Sequence, residues 1–358
     1  MQQNSLMRST LVYCLLFVAA SMSVMLYYAA TKTVGVADLA QDEVVSAQDR
    51  EETASVAPTP ENEIAINRAE NNTNYFCVPM PENVKAEEVV LENHYMDKEL
   101  WVGISSAQAK TYEDFYRANS VYGNCNNVTN GRIETEKERI CLRFALTGVY
   151  EYRSIFEDHT LYVEFVPSKE IYEKIIVIDP AYGGDERGVT SDGVMAKDIT
   201  LAIAKALKTR FDESDIKVYY TRMDDANPAS ADRVDLAMTT KADMLIRIEV
   251  SGDENSKLYG TSAVYNSKFF IPGFGNVELA DLLEREVVTS ISGKAGGLIE
   301  SEAADEVVNS ATVPAAAIRV GYLTNSQEAI LLQRDDYIDR IAEGIYNAVA
   351  KAYEQREK

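Results

Sequence analysis

The second half of the chain alternates between short apolar runs and stretches whose apolar residues repeat about every four positions. The apolar runs cover residues 174–179, 216–221, 244–250, 260–265 and 315–320. The helical stripes consist of Ile199, Ile203, Leu207 and Phe211, and of Ile338, Ile341, Ile345, Val349 and Ala352. Alternation of strands with helices predicts an α/β domain with a mixed or parallel sheet flanked by helices. We assign residues 171–358 to this domain.

A different pattern covers residues 73–170. Residues 142–146 and 161–165 alternate apolar with polar positions, and turn-forming stretches such as 122–127 separate these runs. Short alternating strands with such turns predict a small all-β, sandwich-like domain.

The N-terminus contains an uncharged apolar segment at residues 11–31, preceded by Arg8 and followed by Lys32. Its length matches the roughly 20 residues that cross a bilayer, so we predict a single-pass transmembrane signal anchor. Residues 1–10 would be cytoplasmic and the bulk of the chain extracytoplasmic. Cleavage after Ala30, as in a signal peptide, is the alternative. Residues 32–72 are acidic and lack apolar periodicity, which predicts a flexible linker.

Charge and cysteine content narrow the function classes. The 358 residues carry a formal charge of −22, so nucleic acid is not an expected partner, because binding it requires clustered Lys and Arg.

Cys14 lies in the apolar segment, and Cys77, Cys125 and Cys141 lie in the β-rich domain. One disulfide among those three with an odd thiol, or three buried free thiols, both fit the sequence.

Five ordered motifs in the second half carry a family resemblance. Residues 176–180 followed by Gly183-Gly184 look like I-D-P-G-H-G-G, and Lys197-Asp198 resembles E-K-D. Thr221-Arg222 resembles V-x-x-T-R, and Arg233, Ala237 and 241–243 resemble R-x-x-x-A-N…K-A-D. Pro314-Ala315 and 321–325 look like M-P-A-x-L-V-E-x-G-F-L-S-N. Together they resemble the zinc-dependent N-acetylmuramoyl-L-alanine amidases, which cleave stem peptides from peptidoglycan glycan strands. The β-rich region resembles the amidase N-terminal (AMIN) domain, which targets peptidoglycan.

The resemblance implies three zinc ligands and one catalytic acid/base. The ligands would be the His of G-H-G-G, the Glu of E-K-D and the His of S-I-H-A-N, and the acid/base would be the Glu of V-E-x-G-F-L. These positions hold Tyr182, Ala196, Glu249 and Arg319. A phenol is a poor ligand at pH 7, a methyl group has no ligand atom, and a guanidinium cannot act as a base. Both histidines, His94 and His159, precede the domain. We therefore expect no catalytic residue, no metal and no cofactor, the family zinc having been lost.

Glu249 and Arg319 suggest a specific arrangement. Both should lie at strand ends, where sites form in open α/β sheets. We hypothesise an ion pair between them where the metal would be, with Tyr182 donating a hydrogen bond. The alternative is that both side chains point into water.

Three other features have a functional and a structural interpretation. The acidic residues Asp185, Glu186 and Asp192 predict a solvated loop rather than a calcium site. Three phenylalanines, Phe269, Phe270 and Phe274, are expected to pack under their loop rather than form an exposed platform. Trp101 is expected in the core rather than stacked on a sugar.

The predicted function is that of a bacterial pseudoamidase: membrane-anchored, extracytoplasmic and catalytically inactive. It would bind peptidoglycan, or regulate or scaffold an active cell-wall hydrolase, for example in a division or sporulation complex. One alternative is an active amidase with an atypical site built on carboxylates such as Asp179 and Glu249. Another is an inert α/β spacer with the β-rich domain as the binding module.

Overall fold

The computed structural model describes residues 62–68, 73–105, 109–136 and 139–356. The predicted anchor at 11–31 and most of the predicted linker lie outside the described residues. Among the helices that the structure describes, none is long and apolar enough to cross a membrane.

The N-terminal domain, in its described residues, pairs two four-stranded antiparallel sheets. Their orders are β4-β1-β8-β7 and β2-β3-β6-β5. The strands are β1 Phe76–Pro79, β2 Val89–His94, β3 Glu99–Ser105, β4 Tyr122–Gly123, β5 Val128–Glu136, β6 Arg139–Leu146, β7 Glu151–Glu157 and β8 Thr160–Val166, and a 3-10 turn covers Ala86–Glu88. Buried residues from both sheets, including Phe76 and Phe144, form its core.

A helix, α1 (Ala109–Ala118), interrupts the strands of this domain. The prediction of an all-β domain is therefore wrong at this point. Tyr112 and Tyr116 are four residues apart, lie on one side of the helix and are buried in the core of the domain. Strand-like patterns before and after α1 led to the prediction of strands throughout this region.

The C-terminal domain confirms the predicted α/β fold. A six-stranded mixed sheet has the order β12-β9-β13-β16-β14-β15 within the described residues. Its strands are β9 Lys174–Pro180, β12 Ile216–Tyr220, β13 Met244–Ser251, β14 Thr261–Tyr265, β15 Ala295–Glu300 and β16 Ala315–Tyr322. The first four strands in this order run parallel, β14 runs antiparallel to β16, and β15 runs parallel to β14. A small hairpin joins β10 (Thr190–Ser191) to β11 (Val194–Met195).

Helices cover both faces of this sheet. They are α2 Ser168–Ile171, α3 Ala196–Phe211, α4 Ser230–Thr239, α5 Asn276–Ile291, α6 Glu306–Ser310, α7 Ser326–Leu331 and α8 Asp335–Arg356. Ile176 and Ile178 face the core shared with α3, α5 and α8, whereas Ile175 and Val177 face the core shared with α4 and α6. Burial on both faces explains why the central strands read as nearly continuous apolar runs.

The N-terminal domain covers one edge of the six-stranded sheet. The Tyr95 hydroxyl donates to the backbone oxygen of Tyr220 (3.0 Å) and accepts from its backbone nitrogen (3.2 Å). Lys217 of the same strand pairs with Glu151 (2.9 Å), and Val149 enters the core on that side. The edge strand β12 therefore does not present its Tyr220 backbone groups to solvent.

No disulfide joins the three cysteines that the structure describes to one another. Cys77, Cys125 and Cys141 are all buried as thiols. Of the two alternatives that fit the sequence, the structure shows the one without a disulfide.

Candidate functional site

Charged side chains gather where the parallel strands β9, β13 and β16 end. Asp179 lies opposite Arg247, and Glu249 lies opposite Arg319. Residues in register project to the same face of a sheet, as do residues two apart in one strand. All four side chains therefore lie on one face, at the edge where α/β sheets form their sites.

Glu249 and Arg319 form the hypothesised ion pair. Arg319 Nε donates to Glu249 Oε2 (3.1 Å), and Arg319 Nη2 donates to Asp305 Oδ1 (3.0 Å). Glu249 is only 8% exposed, so it does not point into water. Burial alone would lower the pKa of Arg319, but Glu249 and Asp305 hold it above its ordinary value. Arg319 therefore remains a cation and cannot accept a proton from water.

Arg247 joins this pair to a second one. Its Nε donates to Glu249 Oε1 (2.8 Å), and its Nη1 donates to Asp179 Oδ2. We call the resulting row of alternating charges the charge chain; it consists of Arg233, Asp179, Arg247, Glu249, Arg319 and Asp305. Three cations and three carboxylates give it no formal net charge.

Sequence reasoning missed Arg247 and Asp305. A signal for Arg247 existed, since a charged residue stands two positions before Glu249 in an otherwise apolar buried strand. Asp305 offered no such signal, because it precedes α6 and reaches Arg319 only through the tertiary fold.

Asp179 is the most deeply buried member of the charge chain. Its Oδ1 accepts from Thr221 Oγ1 (2.6 Å) and from Arg233 Nη1 (2.5 Å). Burial would raise the pKa of Asp179, but Arg247 and Arg233 outweigh burial and hold the pKa below its ordinary value. This carboxylate is inaccessible and fully engaged, so the alternative of an atypical carboxylate catalyst gains no support from it.

Two arginines of the recognised motifs hold the loop after β9. Arg222 donates to the backbone oxygens of Pro180 (2.9 Å) and Ala181 (3.0 Å), and Arg233 Nη2 donates to that of Tyr182 (3.1 Å). Gly183, at φ +137°, has no room for a side chain, because a Cβ there would lie 2.0 Å from the Ala226 oxygen. The motif thus fixes the backbone of the loop independently of any metal.

Tyr182 and Ala196 lie side by side next to the charge chain. A Cβ on Gly188 would be 2.7 Å from the Tyr182 ring and 2.9 Å from Ala196 Cβ, so both flank the same glycine. Burial, then the nearby Glu249 carboxylate, raises the pKa of Tyr182 to about 12, and its phenol is neutral at pH 7. No hydrogen bond from the phenol to Glu249 is present among the described residues, contrary to the hypothesised one.

The residues at the four positions do not fit a zinc ion. A catalytic zinc needs three N, S or O ligands and one open position. Ala196 has no ligand atom, the Tyr182 phenol is neutral, and both Glu249 oxygens already accept from guanidinium groups. Across the described ranges, no three or more His, Cys, Asp or Glu side chains gather as metal ligands.

An open pocket of about 660 Å³ lies beside this site, between the loop after β9 and the β10–β11 hairpin. At its base Lys197 donates to the Gly184 oxygen (2.8 Å) and to Asp225 (2.8 Å). The predicted acidic loop lies here, and Asp185, Glu186 and Asp192 are all exposed.

The aromatic residues divide between the core and the surface. Phe274 packs in the core, but Phe269 is 39% exposed and Phe270 is 82% exposed, so the packing prediction is wrong for both. Phe270 follows β14, which runs antiparallel to β16, and therefore lies at the opposite end of the sheet from the charge chain.

Trp101 is only half-buried, and its ring lies between the His94 ring (3.6 Å) and the Arg143 guanidinium (3.7 Å). Neither face of the indole is open to a sugar.

The second half of the chain is similar in sequence to a family of known proteins. Residues 176–351 match the model of the family described as N-acetylmuramoyl-L-alanine amidase. The uncharacterized protein YqiI of Bacillus subtilis is 27% identical over 188 residues, which cover 52% of this chain and 89% of the relative. The germination-specific N-acetylmuramoyl-L-alanine amidase of the same organism is 26% identical over 199 residues, with coverage of 51% and 81%. The amidase structure from Clostridium difficile 630 is 30% identical, with a TM-score of 0.48 and coverage of 51% and 97%.

Proposed function

Residues 176–351 belong to the N-acetylmuramoyl-L-alanine amidase family, and we propose that this chain binds peptidoglycan without hydrolysing it. The observation that carries the proposal is the charge chain. Two of its members, Glu249 and Arg319, stand where the family resemblance calls for one of the metal ligands and for the catalytic carboxylate.

The chemistry of amide hydrolysis supports the inactive assignment. The reaction needs a group that polarises the scissile carbonyl and a base that takes the proton of the attacking water. Arg319 stands at the position of the base and stays protonated. Glu249, the ion-pair partner of Arg319, accepts from two guanidinium groups, one on each carboxylate oxygen, and these cationic donors weaken it as a base.

The preserved loop framework supports a retained binding role. Arg222 and Arg233 still fix the backbone after β9, and the neighbouring pocket stays open to solvent. A cleft that keeps its walls and loses its reactive groups can still accept a glycan strand with its stem peptide. Such a protein would serve as a scaffold or regulator of an active cell-wall hydrolase.

The proposal extends to the rest of the chain. The β-rich domain would act as an AMIN-like module that targets peptidoglycan, and the apolar segment 11–31 would anchor the chain in the cell membrane. Both domains would then lie outside the cytoplasm, where the polymer is.

The test is an activity and binding assay on purified sacculi. The full-length chain is incubated with sacculi and added zinc, beside an active amidase, and newly freed α-amino groups of L-alanine are quantified. We expect no release above background, together with co-sedimentation of the chain with the sacculi. Release that a chelator abolishes would overturn the inactive assignment, and failure to co-sediment would overturn the binding assignment.

A further inference from the structure

The loop between β13 and β14, residues 252–260, lies at the same sheet edge as the charge chain. It begins where the parallel strand β13 ends and leads into β14, whose Ser262 lies opposite Arg319. A ligand that lies along this sheet edge and extends past β16 toward β14 would contact this loop.

The loop is hydrogen-bonded to the turn between β16 and α7 and to α7 itself. The Asp253 backbone nitrogen donates to Thr324 Oγ1 (3.1 Å), and Asn325 Nδ2 donates to the Ser256 oxygen (3.0 Å). At its end, the Gly260 backbone nitrogen donates to Glu328 Oε1 (2.9 Å). Side chains on this loop are therefore presented in a defined place, which lowers the entropy cost of binding.

This fixed loop exposes an aromatic ring together with a cation. Tyr259 is 51% exposed, and the Lys294 ammonium lies 4.3 Å from its ring centroid. Lys294 immediately precedes β15, and its backbone oxygen accepts from the Thr261 nitrogen (2.9 Å), so both partners are anchored to the sheet. An exposed tyrosine ring and an ammonium group side by side suit a ligand with an apolar face and a negative charge.

We propose that Tyr259 and Lys294 form a subsite for peptidoglycan whose acidic stem peptides are intact. The Tyr259 ring would stack on the apolar face of a sugar, and the Lys294 ammonium would pair with a stem-peptide carboxylate. A chain with a formal charge of −22 repels such carboxylates in general, so contact requires a cation at the point of approach. This subsite rests on the proposed peptidoglycan-binding function.

The experiment compares two polymers and four variants of the full-length chain. Binding is measured by co-sedimentation with intact sacculi and with sacculi stripped of stem peptides by an active amidase. We expect Tyr259→Ala to weaken binding to both by about tenfold, and Tyr259→Phe to bind like the wild type, since stacking needs the ring and not the hydroxyl. Lys294→Met should weaken binding only to the intact polymer.

Phe270→Ala is the matched control. It removes an exposed ring from the opposite end of the sheet and should leave binding to both polymers unchanged. If the wild type binds and Tyr259→Ala and Lys294→Met bind equally well, the subsite is wrong while the proposed function stands. If the wild type binds neither polymer, both are wrong. Equal loss for Phe270→Ala would also overturn the subsite, because the effect would not depend on location.

Discussion

At the scale of single residues, the site depends on which guanidinium groups donate hydrogen bonds to each carboxylate. Glu249 accepts from Arg247 and Arg319, one guanidinium on each oxygen. A buried ion pair offsets its desolvation cost only when its remaining lone pairs find partners, and the alternation of the charge chain supplies them. Removing one member of the charge chain therefore leaves a neighbouring charge buried without its partner.

Arg319→Glu should lower the free energy of unfolding by about 3 kcal/mol or more, because it sets a third carboxylate between Glu249 and Asp305. Chemical denaturation near neutral pH measures the change. The control is Arg334→Glu, whose pair with Asp336 is 55% and 58% exposed. That variant should lower the free energy of unfolding far less than Arg319→Glu, because water screens an exposed pair. Equal losses in the two variants would contradict the role of the charge chain.

Asp179 should make the domain sensitive to acid. Its pKa lies below the ordinary value in the folded state, so its stabilising contribution is present above the unfolded pKa of about 4 and is lost as the pH falls through the folded pKa. Denaturant titrations between pH 7 and pH 2 should show a steep fall below about pH 4. Asp179→Asn should be less stable at pH 7 and show a shallower fall; a parallel curve would assign the acid sensitivity to other groups.

At the scale of elements, strand direction assembles the site and the second domain protects the sheet. Parallel β9, β13 and β16 bring residues that lie far apart in sequence to one edge and one face. At the outer strand β12, a tyrosine from the N-terminal domain satisfies both backbone groups of Tyr220. The two domains are thus joined by hydrogen bonds as well as by apolar packing.

Tyr95→Phe should loosen this junction. Without the hydroxyl, the Tyr220 amide and carbonyl lose their partner, at a cost of about 1–3 kcal/mol. Amide hydrogen exchange at Tyr220 should accelerate measurably. Tyr152→Phe, which removes a hydroxyl bonded to the Leu91 oxygen within the N-terminal domain, should leave Tyr220 exchange unchanged. Unaltered exchange in Tyr95→Phe would show that packing alone protects the edge.

At the scale of the whole molecule, the C-terminal domain should fold and remain folded without a bound metal. A metal that binds only the folded state raises the melting temperature with its concentration, and chelation reverses the effect. The donor set at the four positions offers no zinc site, so neither zinc nor a chelator should move the melting temperature of the full-length chain. A zinc-dependent rise that a chelator reverses would point to ligands outside these four positions.

Much of this organisation was predictable from local pattern. Continuous apolar runs and helical stripes predicted the sheet and its helices, because a strand buried on both faces has no polar side. The prediction that the residues at 182, 196, 249 and 319 cannot serve as zinc ligands or as a catalytic base rests on side-chain chemistry, which the sequence gives directly. The short helix α1 was missed although Tyr112, Phe115 and Tyr116 have the i, i+3, i+4 spacing of a helix, because strand-like patterns precede and follow it.

The sequence by itself determined the α/β class, the strand ends that carry the site, and the absence of histidine after residue 159. Only the tertiary structure decided that Arg247 and Asp305 join Glu249 and Arg319 in one charge chain, and that Phe270 and Tyr259 stand exposed at opposite ends of the sheet. The physical reason is that a residue's chemistry and local periodicity are encoded near it in the chain. Its partners and its exposure depend instead on strand order, direction and register, which contacts between distant segments decide.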